Sequence, residues 1–230
     1  KTTEHEQEIM SSNNNNASQL TDDQIEDKLK GTQQDSRRMT LATSIVGANN
    51  ASNFYRVYTK LETIKSSGNS GGAADTLVKH LCGFEGPQKD LPYLKSGREM
   101  EAYLIHFQEN HRDASIRDCG LFINDSKQYL GASPDALVEC SCCGKKFLEI
   151  KCPSSIMNKT PLPENLPYLI SQDGKVVLKE NHMYFAQIQG QLAITKRHWC
   201  HFYVYSQAGC HLETTQFDKS YWSKLEAKLF

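Results

Sequence analysis

The sequence predicts an α/β fold, a β-sheet with helices packed against it. Three observations predict it. The run Phe147-Leu148-Glu149-Ile150-Lys151 alternates apolar and polar side chains as a strand does. A turn signal, Cys142-Cys143-Gly144-Lys145, joins it to an extended run after Pro134-Asp135, so the two read as a hairpin. Stretches with apolar residues at helical spacing lie on either side of that hairpin.

Residues 1–35 are polar, with an asparagine run at 13–16 and few aromatics, and read as a disordered linker. Within them Thr21-Asp22-Asp23 caps a short helix through Leu29-Lys30. The folded domain is expected to occupy 36–230, opening at Arg37-Arg38-Met39-Thr40. Ser66 to Gly72 is a loop by composition, followed by a short helix from Ala73 to Leu81 that ends at Gly83. Around Leu94 to Asn110 a long helix carries Met100, Leu104 and Phe107 in one stripe, widened by Tyr103 and Ile105. Ile116 to Asn124 and Gln128 to Gly131 read as strand, turn and strand leading into the hairpin. Pro153-Ser154-Ser155 starts a short helix, and residues 160–175, rich in proline and polar residues, read as a loop. Asn181 to Ile194 is a helix. Trp199 to Tyr205 and Cys210 to Phe217 are two strands joined by a turn at Ser206 to Gly209, and a last helix runs from Asp218 to about Leu229.

The chain has 230 residues, enough for one domain with a proper core. No apolar run approaches the length of a membrane span, and no signal peptide is apparent, so no membrane partner is expected. The chain starts at Lys1 without a methionine, as a segment of a longer protein would. A net charge of −1 excludes a basic nucleic-acid coat. Any nucleic-acid contact must come from local patches drawn from Lys145, Lys146, Lys151, Lys159, Lys196 and Arg197. Eight cysteines without a secretion signal point to an intracellular, reducing compartment, nuclear or cytoplasmic, with most thiols acting as small buried hydrophobes.

The hairpin carries the chemistry. Glu149 and Lys151 share one strand face, while Leu148 and Ile150 share the other. Folding the chain near Cys142 brings Asp135 opposite Glu149 or one step away, with opposed Cβ atoms about 5 Å apart. Two carboxylates held together repel unless a positive charge lies between them. A hard divalent cation such as Mg²⁺ takes oxygen ligands and fits that need. A lysine beside a metal-bound water completes the set for phosphodiester hydrolysis.

Pro134-Asp135 followed by Glu149-Ile150-Lys151 resembles the PD-(D/E)xK nuclease motif. The longer match of Gly131-Ala132-Ser133-Pro134-Asp135 with Leu148-Glu149-Ile150-Lys151-Cys152-Pro153 is similar to the YqaJ viral recombinase and lambda exonuclease branch, over roughly residues 37–218. The resemblance implies a restriction-endonuclease-like fold, with a mixed central sheet flanked by helices. It implies a Mg²⁺- or Mn²⁺-dependent DNA nuclease of the recombination type, acting as an exonuclease on duplex DNA ends, and a trimeric ring is one form such relatives take. Asp135 and Glu149 become metal ligands with the Ile150 carbonyl, and Lys151 orients the attacking water. Gly97 to Glu101 matches the family's Gly-x-x-x-Glu element, which makes Glu101 a further acid at the site. Tyr184 to Gln187 matches its Tyr-x-x-Gln helix, which makes Gln187 a supporting polar group. Gln191, one turn further on, stands where relatives often carry tyrosine, and this departure leaves it without an assigned role. Arg38, Ser133 and Lys151 are the implied DNA contacts.

Two other readings compete. One is a nuclease fold that binds DNA or a protein partner without cutting; its mark would be a broken acid–lysine set, and here the set is whole. The other is a structural Zn²⁺ domain, resting on Cys140, Cys142 and Cys143. Cys140 and Cys143 have the C-x₂-C spacing, but a closed zinc site needs four ligands, and the sequence holds no second C-x₂-C pair. The loop therefore reads as a plain hairpin tip.

Overall fold

A computed structural model describes residues 49–67, 96–109, 111 and 113–229. The expected linker, the helices at 21–30 and 73–81, and Arg38 lie outside these residues. Ten strands and four α-helices follow in chain order among the described residues. They are β1 (Asn49–Asn50), α1 (Phe54–Ser67), α2 (Ser96–Gln108), β2 (Ser115–Asp118), β3 (Phe122–Ile123), β4 (Leu130–Ala132), β5 (Ala136–Cys140), β6 (Gly144–Lys151), β7 (Leu169–Gln172), β8 (Lys175–Leu178), α3 (Met183–Thr195), β9 (Trp199–Ser206), β10 (Gly209–Gln216) and α4 (Lys219–Glu226). None of these helices is long and apolar enough to cross a membrane.

The central sheet has five strands in the order β10-β9-β6-β5-β2. Only β6 and β9 run parallel; every other neighbouring pair is antiparallel. A parallel pair needs a crossover, and α3 supplies it between β6 and β9. That crossover lays α3 across the sheet. Leu137, Phe147, Phe202 and Val204 pack on its side, together with α1, α4 and α3's own Ile188 and Leu192. The alternate residues Ala136, Val138, Leu148 and Tyr203 face the other way and meet Tyr103 and Phe107 of α2. The sheet is thus covered on both faces, and the expected mixed α/β architecture is what the chain adopts.

Several details depart from expectation. The stretch at 115–124 is two strands in two sheets: β2 pairs with β5, whereas β3 pairs with β4 in a separate three-stranded sheet. Residues 160–175 are not loop throughout, because β7 and β8 form a hairpin turned by Asp173 (φ 51°) and Gly174 (φ 75°). Asp-Gly is the dipeptide such a tight turn favours. Ile105 does not widen the buried face of α2 but is 60% exposed. Helix α1 was not anticipated at all. Its first residue, Phe54, is fully buried, its ring tilted at 45° to that of Trp222 with centroids 5.9 Å apart.

Helix α3 is held close by a glycine. A Cβ at Gly190 would lie 2.6 Å from Cδ2 and Cε2 of Phe54 and 3.3 Å from Cβ of Ala51. Phe54 has no solvent to swing into. Gly190→Ala gains about 1 kcal/mol of helix propensity but overpacks the contact by about 1–3 kcal/mol. We expect a net loss, read as a melting temperature lower by up to about 8 °C. A thermal melt at or above wild type would show that the helix does not need this approach.

Candidate active site

The β5–β6 register pairs Ala136 with Leu148. One step further out, the Asp135 N–H donates to the Leu148 carbonyl at 3.1 Å, so Asp135 lies beside Glu149 as the hairpin argument requires. The Ile150 N–H then donates to Asp135 Oδ2 at 2.6 Å, which fixes the carboxylate against β6. Ser133 sits half-buried in the short loop between β4 and β5 that delivers Asp135.

Glu149 is 2% exposed. A buried carboxylate must have partners for both oxygens, and it does. Lys151 Nζ and Gln187 Nε2, the latter at 2.7 Å, both donate to Oε1. Gln191 Nε2 donates to Oε2 at 2.7 Å. Gln187 and Gln191 reach the same carboxylate because residues four apart share a helix face, and the crossover has put that face over β6. Lys151 also lies 3.4 Å from Gln187 Oε1 and 4.6 Å above the Tyr184 ring. Tyr184 stands in the first turn of α3, whose N-cap is His182: its Nδ1 accepts from the Tyr184 N–H at 3.2 Å.

The charges are not balanced. Burial alone would push the Lys151 ammonium down, but Glu149 in contact, with Asp135 and Tyr184 nearby, outweighs it and raises its pKa. Lys151 therefore stays charged. Asp135 is pushed up to about 7, first by the protein packed around its carboxyl and then by the Glu149 charge. The residue nonetheless keeps an open edge to solvent. Two acids thus share one ammonium, and the more accessible acid is the one left short of positive charge.

The cluster unites Asp135, Glu149, Lys151, the Ile150 backbone and Gln187. Glu101 is exposed on α2 and, among the described residues, makes no hydrogen bond or ion pair with the others. Two contributors were not foreseen. Gln191 holds Glu149 directly, and its four-residue spacing from Gln187 was the available signal. Tyr184 lies under Lys151, and its signal was the Tyr-x-x-Gln element itself.

The sheet order, the hairpin and the acid–lysine cluster at its open end together define a restriction-endonuclease-like fold. A family model described as the YqaJ-like viral recombinase domain matches residues 40–198, and the chain belongs to that family. Among solved structures, the chain is similar to an alkaline exonuclease (LHK-Exo) from Laribacter hongkongensis, at 20% identity and a TM-score of 0.54, covering 84% of this chain and 91% of that one. The same exonuclease in complex with dAMP matches at 20% identity and a TM-score of 0.54, covering 81% and 87%. At that identity these likenesses speak for the fold. No curated protein matches the chain.

The raised carboxyl has a consequence for the metal-free protein. The folded state binds the Asp135 proton more tightly than the unfolded chain. Its contribution to stability is therefore full below the ordinary value of 3.8 and is lost as pH rises through about 7. Discounted for the open edge, the effect is on the order of 1 kcal/mol. In EDTA at pH 8, Asp135→Asn is expected to melt about 2–4 °C above wild type, with the gap closing toward pH 4. An equal or lower melting temperature at pH 8 would mean that the two acids do not strain the fold.

Proposed function

We propose that the protein is a divalent-metal-dependent DNA nuclease that hydrolyses duplex DNA from its ends. The observation that carries this reading is the juxtaposition of Asp135 and Glu149 with Lys151 at one end of the hairpin. Family membership supports it. So does the dAMP complex of the Laribacter exonuclease, since a deoxynucleoside monophosphate is what stepwise hydrolysis of DNA releases.

The residues suit a hard cation. Oxygen donors come from Asp135, Glu149 and the Ile150 carbonyl, and the surplus negative charge at Asp135 is what a cation would relieve. When bound there, Mg²⁺ or Mn²⁺ would supply Lewis acidity toward the phosphate and its water. The chain's own groups do the rest. Lys151 Nζ donates to the attacking water and to charge growing on the phosphate. Water adds to phosphorus in line, one P–O bond breaks, and the water's proton passes to solvent while the leaving oxygen is protonated. Glu149 and Gln187 hold Lys151, and Gln191 holds Glu149, so the ammonium meets the reaction already oriented. Glu101 is proposed as a further acid approaching from α2, and Arg38 and Ser133 as contacts to the DNA backbone.

End-labelled linear duplex should be degraded with Mg²⁺ or Mn²⁺ and left intact in EDTA. Lys151→Ala should lower the single-turnover rate by on the order of 10²-fold, because the lost interactions are made in the transition state. Duplex affinity measured in Ca²⁺ should change only modestly. Wild-type protein that binds duplex but cuts with no divalent ion would replace this reading with that of a binding module. Glu101→Gln should slow turnover strongly while leaving the melting temperature unchanged; wild-type cutting by that variant would return Glu101 to the solvated surface.

A further inference from the structure

The far end of the same hairpin carries a second cluster. The β5–β6 tip brings Cys140, Cys142 and Cys143 together, and the structure adds the fourth group that the sequence spacing did not reveal, His111. It lies just beyond α2, its N–H bonded to the Phe107 carbonyl at 3.1 Å and its ring stacked on Phe107 at 4.0 Å. The four donor atoms all lie within 4.8 Å of one another. Sulfur–sulfur distances are 2.9 Å for Cys140–Cys143 and 3.4 Å for the other two pairs. His111 Nδ1 stands 2.8, 3.3 and 3.8 Å from the sulfurs of Cys142, Cys143 and Cys140.

These edges outline a tetrahedron. Zn–S bonds of about 2.3 Å and a Zn–N bond of about 2.0 Å imply S···S near 3.8 Å and N···S near 3.5 Å. Five observed edges are shorter than these and the His111–Cys140 edge, at 3.8 Å, is slightly longer, so the group is that tetrahedron contracted and a little skewed. A disulfide does not explain it: its S–S bond is about 2.05 Å, and any pairing would leave one thiol of the three over. The backbone is shaped to hold the group. The Cys143 N–H donates to Cys140 Sγ at 3.3 Å, and Gly144 turns the chain at φ +66°. The Asp113 carboxylate accepts from the Ser141 N–H at 2.6 Å, clamping the His111 loop to the tip.

We propose that His111, Cys140, Cys142 and Cys143 form a structural Zn²⁺ site. Thiolate and imidazole donors select zinc over the hard cation suited to the carboxylates. All four positions are filled by the chain, so no place is left for substrate water, and the role is structural. The donors converge on a single ion; an iron–sulfur cluster would need its cysteines spread around several metal atoms. Binding releases the three thiol protons to solvent and leaves imidazole neutral. The site lies roughly 16 Å along the strand from Asp135. It stands independently of the nuclease reading.

The test is elemental analysis of the 230-residue chain, expressed in zinc-supplemented medium and desalted without chelator. We expect about one zinc per chain. His111→Ala and Cys142→Ser should lose it, while His111→Cys and Asp135→Asn retain it. Co²⁺ added to the zinc-stripped wild type should give thiolate-to-cobalt charge transfer and the intense visible bands of a tetrahedral site, a readout that stands if the alanine variant does not fold. Absence of zinc, iron with visible absorption, zinc that survives both His111→Ala and Cys142→Ser, or an octahedral cobalt spectrum would each overturn the proposal.

Discussion

A carboxylate placed almost out of reach of water is the constraint on which the rest depends. Removing an ion the size of a carboxylate from water costs several kcal/mol unless partners replace the solvent. Glu149 meets that cost with three donors from two elements, Lys151 on its own strand and Gln187 and Gln191 on α3. The strand donor needs only the two-residue period of a β-chain. The helix donors need α3 to lie directly over β6, which the parallel β6–β9 pairing arranges. They also need it close, which Gly190 permits against Phe54. Sheet topology, crossover helix and one missing Cβ therefore serve the same charge.

The compensation stops short of Asp135. Its carboxyl has a backbone N–H and a distant share of Lys151, yet it lies beside a second acid that takes most of the ammonium's field. A fold selected for stability alone would separate these acids or add a base. Retaining the imbalance at the open edge of a buried cluster is the kind of local cost that functional sites carry and the surrounding core absorbs. Here the core lies on both faces of the strands that hold the acids, so the strain is confined to one side chain.

What was legible in the sequence follows the range of the physics involved. The hairpin, its register and the meeting of Asp135 with Glu149 could be read because strand period and turn position are local rules. Helix α3, β9, β10 and α4 carried similarly local signals. The Asp173-Gly174 turn was legible in principle and was outweighed by the prolines around it. The split of 115–124 between two sheets was not legible, because Gly120 marks a break but no local rule says that the strands on its two sides pair in different sheets. Gln191 lacked an assignment because its partner lies 42 residues away and is known only once α3 is placed. His111 is harder still: it ends an H-x₄-H pair with His106, but it is 29 to 32 residues from the cysteines, and only the fold shows which imidazole reaches them. Contacts that the crossover or the tertiary fold creates leave no trace in short-range pattern.

The hairpin gives the two clusters a common mechanical sense. Beyond Phe147 toward the tip, the parallel ladder with β9 has not yet begun, so Gly144 to Lys146 pair only with β5. That half of β6 projects from the sheet with support on one side. At the other end, the nuclease proposed above would need the same two strands to hold Asp135, Glu149 and Lys151 in fixed relation, since displacements of about 1 Å can cost on the order of 10²-fold in rate. A pair of strands free at one end transmits its motion along the ladder to the other. The zinc proposed above would join the tip to His111 and close that freedom, beside the helix whose Tyr103 and Phe107 already pack beneath Leu148. With that zinc in place, β6 would be held at its tip by the metal, along its middle by both cores, and at the Glu149 end by the glutamines of α3.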